Sequence, residues 1–159
     1  MDMLNTENTN ILNNVIMRYQ SATPTSSPKQ PIEKVRDFLD SDLEEQGYLD
    51  AQSNSENNVL QQKVVELKAK GKQICQSAIR EYENRNIDIK AEITISTSAG
   101  LLDSVEKLKA QIEKNEKDIV RVEKIMGTDL LDDNMSVYVS YRRGFEKWKR
   151  AITEKLLTN

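Results

Sequence analysis

Apolar positions recur along this chain with two different rhythms. From Leu101 to Met126 they follow alternating four- and three-residue steps: Leu101, Val105, Leu108, Ile112, Asn115, Ile119, Val122 and Met126. Val105, Ile112, Ile119 and Met126 fall at heptad position a, and Leu101, Leu108, Asn115 and Val122 at d. Such a narrow seam on a charged helix leaves water only by meeting another helix. The run therefore predicts a helix over about 99–126, packed in a bundle or coiled coil and ending at Gly127. Asn115 interrupts the seam. A buried polar residue there can fix register and oligomer state at a cost in stability; at a wet edge it would specify nothing.

Two further helices share this rhythm. Leu60, Val64, Leu67, Gly71, Ile74 and Ala78, with Tyr82 nearby, predict a helix from about 56 to 85. Ser53-Asn54-Ser55-Glu56 has the spacing of a capping box at its start. Gly71 and Ala78 lie one heptad apart, where small residues would let a neighbour approach closely. Near the C-terminus, Tyr138, Tyr141, Phe145, Trp148, Ile152 and Leu156 share one face of a helix over about 134–157. Spacing of this kind more often marks a core than a binding box. A shorter helix over 31–46 opens on Pro31, where a missing N–H costs nothing. Its stripe is Ile32, Val35, Phe38, Leu39 and Leu43, and Gly47 is a candidate C-terminal cap.

The second rhythm has period two. Ile87, Ile89, Ala91, Ile93 and Ile95 alternate with Asp88, Lys90, Glu92, Thr94 and Ser96. β-Branched residues in strict alternation read as a strand. No other segment offers a mate, and an unpaired strand exposes a full row of backbone groups. Three readings follow for 87–95: an extended linker, a strand that pairs with another chain at Ile87, Ile89, Ile93 and Ile95, or a helix imposed by tertiary context.

The expected organisation is a flexible segment over 1–30, a short acidic helix with its linker over 31–55, and a helical bundle over 56–159. The first carries a short apolar face at Ile11, Leu12, Val15, Ile16 and Tyr19. A helix that short is marginal alone in water, so it is disordered or docks on the bundle or a partner.

Composition agrees with long helices. The 159 residues are 31% charged and 37% hydrophobic, with five glycines and three prolines. The fold class expected is all-α: an elongated antiparallel bundle or coiled coil with one isolated strand at most. Net charge is only −3, but its distribution is uneven. Residues 33–56 hold eight acidic residues against Lys34 and Arg36, and 142–155 hold six basic residues against Glu146 and Glu154. The two segments can attract each other within a chain or between chains.

Enzyme signatures are lacking. There is no histidine and one cysteine, Cys75, so the commonest general base and metal ligand is missing and no internal disulfide can form. The acidic clusters Asp40-Asp42-Glu44-Glu45 and Asp129-Asp132-Asp133 lack calcium-loop spacing and read as solvated surface. No catalytic residue, cofactor site or metal site is expected. No cleaved secretory signal is apparent, and no apolar run is long enough to span a bilayer. A cytoplasmic location is expected; secretion without a cleaved signal is compatible with the same sequence. The last helix interleaves Arg142, Arg143, Lys147, Lys149 and Arg150 with aromatic residues, a composition that also suits phosphate contacts and base stacking. The aromatics share one stripe, which favours a core, so nucleic-acid or membrane binding is the lesser reading. The function expected is non-catalytic: a subunit, adaptor or chaperone-like component of a protein assembly, a hetero-assembly or a homo-oligomer. The competing class is a secreted or regulatory helical effector or inhibitor acting as a monomer.

Overall fold

The computed structural model describes residues 28–158. The expected amphipathic face at Ile11–Tyr19 lies outside the described residues. Among those described, the fold is all-α: helices α1 (Pro31–Leu39), α2 (Glu44–Ser53), α3 (Asn57–Ser98), α4 (Leu102–Gly127) and α5 (Ser136–Leu157), with a 3-10 turn at Asp129–Leu131 and no strand.

The 42-residue α3 is about 63 Å long at 1.5 Å per residue and serves as the spine of a helical bundle. α4 runs back along its C-terminal half and α5 along its N-terminal half. Asn115 and Asp118 of α4 meet Asn86 and Tyr82 of α3. At the other end, Asp133 just before α5 meets Lys68, and Lys149 of α5 meets Asn57. The turn from α3 into α4 is a Schellman motif. Leu101 N–H donates to the Ser96 carbonyl and Gly100 N–H to the Thr97 carbonyl, with Gly100 at φ 74°, where a side chain would be strained.

Two apolar clusters lie against the spine. α1 brings Ile32, Val35 and Leu39 onto Cys75, Ala78 and Tyr82 of α3, Val122 of α4 and Leu130. α2 and α5 bring Ala51, Val137, Tyr138, Tyr141 and Phe145 around Val64. Phe38 and Met135 touch both clusters and join them into one core. Gly71 makes room on α3 for the Leu130 and Phe38 side chains, so its close neighbours are side chains from a turn and from α1.

Three local expectations are corrected. The helix expected over 31–46 ends at Leu39, and a second one starts at Glu44. Ser140 of α5 replaces the helical bonds lost in the break: its hydroxyl accepts the Leu43 N–H (2.9 Å) and lies 3.2 Å from the Ser41 carbonyl oxygen. Gly47 is then no cap but a buried mid-helix residue of α2. Ser53 ends α2 rather than boxing α3. α3 instead begins after Glu56, whose N–H donates to the Asn54 side chain at 3.1 Å. Before α5, the Lys68 ammonium and Arg142 guanidinium hold the Asp133 carboxyl below the usual carboxylate range.

Three buried tyrosines give the core a pH limit. The hydroxyls of Tyr82, Tyr138 and Tyr141 donate to Asp118 (3.1 Å), the Leu130 carbonyl (2.7 Å) and Asp50 (2.6 Å). Burial, then neighbouring negative charge, pushes Tyr138 from an ordinary value near 10.0 up to about 12. Burial raises Tyr82 and Tyr141 as well. Between those two pH values the unfolded chain has shed a proton that the native chain retains, so stability falls as pH rises. In an alkaline titration the buried tyrosinate signal should appear together with loss of helicity. Ordinary ionisation of all tyrosines with the helices intact would refute it.

Candidate functional site

The distal part of the α3–α4 hairpin is the most distinctive region of the surface. It lies beyond a layer of buried polar contacts. Tyr82 accepts the Ile32 N–H (3.3 Å) and donates to Asp118, which is also held by Arg121 at 3.2 Å. One turn further out, Asn115 donates to Asn86 across the helix pair at 2.9 Å and accepts from Gln111 at 2.9 Å. Asn86 and Asn115 are both buried. Among the described residues, no buried side-chain polar atom lacks a partner. This layer therefore carries no unpaired buried group.

The seam residues of α4 divide by depth. Val105, Asn115 and Val122 are buried; Leu108, Ile112, Ile119 and Met126 are half-buried. Leu101 precedes the helix and is 54% exposed. Sequence reasoning found Asn115 but missed its mate. Asn86 extends the α3 stripe at Cys75, Ala78 and Tyr82 by four residues, and that spacing is a readable signal.

Asn115→Leu should leave the Asn86 amide unpaired in the seam and cost about 1–3 kcal/mol. Replacing both asparagines by leucine should recover most of that loss, because no polar group is then left without a partner. Thermal unfolding of the three proteins checks this; a double variant no more stable than the single one would refute it.

Residues 87–95 are helical throughout, inside α3, so neither the strand nor the linker reading holds. The period-two pattern has another cause. At about 100° per residue, positions two apart fall on nearly opposite sides of a helix. Ile89 and Ile93 continue the seam from Asn86 and are half-buried. Ile87, Ala91 and Ile95 form a second row on the opposite side, with the two isoleucines 64% and 62% exposed. The backbone satisfies itself within the helix, while side-chain alternation makes both faces apolar. At the tip, Leu101 and Leu102 are exposed as well.

The aromatic stripe of α5 grades outward. Tyr138, Tyr141 and Phe145 are buried, Trp148 and Ile152 half-buried, and Leu156 exposed. Trp148 meets Tyr48 of α2 edge-on at 5.4 Å. The flanking basic residues are largely engaged. Arg143 and Lys147 lie 3.3 and 3.6 Å from Glu44, Arg142 is 3.3 Å from Asp133, and Lys149 is 4.0 Å from Glu146. The acidic and basic segments thus meet within the chain, through α2 and α5.

Sequence reasoning also missed the α2–α5 contact. Gly47 lies against the Tyr141 carbonyl and Gly144 against the Glu44 carbonyl, a helix crossing that only glycine permits. Cys75 is buried, and its burial raises the thiol pKa, which makes it inert. Among the described residues, no group of three or more His, Cys, Asp or Glu is placed to hold a metal ion, and no helix is long and apolar enough to cross a membrane. No protein-family model matches the chain, and comparisons with curated proteins and with solved structures find no match either.

Proposed function

We propose that this chain is a non-catalytic helical interaction protein, a subunit, adaptor or chaperone-like component of a larger protein assembly. The observation that carries the reading is the exposed row Ile87, Ala91 and Ile95 on the outer side of α3, with Leu101 and Leu102 also exposed at the tip. A solvated helix ordinarily turns charge outward, and contiguous exposed apolar surface marks an interaction site. A protein partner, whether a second copy or another chain, would cover that row. A cytoplasmic setting fits the lone buried cysteine. The ion pairs of Arg142, Arg143 and Lys147 weigh against nucleic acid as the partner, because those cations are already neutralised by carboxylates.

The test is purification of the tagged chain from its native cells, with its mass measured in solution against the 18.2 kDa monomer. The expected result is a stoichiometric complex that is lost on Ile87→Asp, an exposed substitution that leaves the fold intact. A monomer with no partner would instead support the effector or inhibitor reading.

A further inference from the structure

The distal outer side of α3 carries Asn84, Ile87, Ala91, Thr94, Ile95 and Ser98, all exposed and none charged. Exposed charges border the row: Glu83 and Lys90 along one edge, Asp88 along the other with the half-buried Arg85. We infer that this face receives the same face of a second copy of the chain, the two α3 helices running antiparallel about a two-fold axis at Ile87. The inference rests on the interaction-protein reading and names its partner.

Charge selects the partner and the orientation. Residues seven apart on a helix drift by only about 20°, so Glu83 and Lys90 share one edge. A two-fold axis crossing α3 between Asn86 and Ile87 sets Glu83 of each copy beside Lys90 of the other. The same axis sets Asp88 beside Arg85 of the copy, which already shares Glu81 at 2.9 Å. Both pairs are centred on one point of the helix, so one isologous contact forms them together. A parallel pair would instead set Glu83 against Asp88 of the copy, like against like. In the antiparallel pair Ile87 meets its own counterpart at the axis. Arg80, the charged residue that continues the row toward the N-terminus, falls beside the exposed, uncharged Thr94 of the copy. A single helix face buries less than a standard interface of roughly 1,600 Å², so the dimer is reversible and concentration-dependent.

The test uses the full purified chain at low ionic strength, with mass followed by sedimentation over a range of concentrations. The wild type should dimerise. Lys90→Glu should weaken the dimer by about tenfold or more, since both symmetry-related contacts between position 90 and Glu83 become repulsive. Adding Glu83→Lys to the same chain should restore it, because the two signs are merely exchanged. Both residues are exposed, so helicity should not change. Ile87→Cys should give a covalent dimer on mild oxidation, whereas Val65→Cys, exposed on the same helix but remote from the axis, should not. A wild type that stays monomeric at every concentration overturns this inference and leaves the hetero-assembly reading to the co-purified partner. A dimer indifferent to Lys90→Glu, with no Ile87→Cys cross-link, overturns it as well.

Discussion

Gly144→Ala should destabilise the protein by about 3 kcal/mol, the upper end for overpacking a well-filled contact, and lower Tm by about 10 °C. The added methyl would overlap the Glu44 carbonyl oxygen, with the Glu44 carbonyl carbon 2.7 Å away. Both are backbone atoms of α2, so no rotamer change relieves the overlap and the helices must separate. Separation then opens the cluster around Ala51, Tyr141 and Phe145 and strains the Leu43–Ser140 hydrogen bond. Gly47→Ala should behave alike, since its methyl would overlap the Tyr141 carbonyl and sit 3.1 Å from the Phe145 nitrogen. Gly127→Ala is the control. Nothing lies within 4 Å of a methyl there, and the stiffer unfolded chain should leave stability unchanged or raise it slightly. Melting curves for the three variants decide it; a Gly144→Ala protein that melts with the wild type would rule out the close α2–α5 crossing.

Phe145→Ala should cost about 3–5 kcal/mol, the range for a fully buried aromatic ring. That is a large fraction of the roughly 5–15 kcal/mol that stabilises a typical domain, so the variant should melt well below the wild type. The ring is fully buried and packs among Val64, Val137 and Tyr138. Tyr141 lies 6.5 Å away, ring centre to ring centre, and the Lys149 ammonium sits 5.5 Å over its face. Along the same stripe the cost should fall with burial. Trp148→Ala loses a half-exposed ring and its edge-on contact with Tyr48, about 1–2 kcal/mol. Leu156→Ala, at 74% exposed, should change stability by less than about 0.5 kcal/mol. Urea midpoints give the order directly, and a Trp148 loss exceeding that at Phe145 would mean the core lies further along α5.

What could be read from the sequence was what repeats locally. The heptad rhythm of Leu101–Met126 and the aromatic stripe of Tyr138–Leu156 each depend on one helix and its own periodicity, and both segments are helices within three residues of the expected bounds. Several of the failures involve contacts distant in sequence. The break in the 31–46 helix is held by Ser140 from almost a hundred residues away. Gly47 looks like a helix cap until Tyr141 is placed against it, and Gly144 carries no signal without Glu44. The 87–95 segment is subtler: its alternation satisfies a strand, yet Asn86, Ile89, Ile93 and Ser96 also continue the three–four spacing of the preceding helix. Backbone hydrogen bonds decide between the two. A continued helix closes all of them internally, whereas a strand without a mate closes none.

The polar layer at Asn86 and Asn115 has a consequence for how the molecule opens. On the inner side of that layer α3 and α4 are covered by α1 and share one core; on the outer side, among the described residues, each has only the other. Local opening free energies track buried apolar contact, so the hairpin beyond Asn115 should unzip on its own, without the core. Native-state hydrogen exchange should then divide α3 in two, with slow amides up to Tyr82 that respond to global stability and faster ones from Ile87 onward that do not. A partner bound on the outer row would close that gap, and the change in exchange beyond Asn86 would measure how much of its binding energy goes into holding the arm folded.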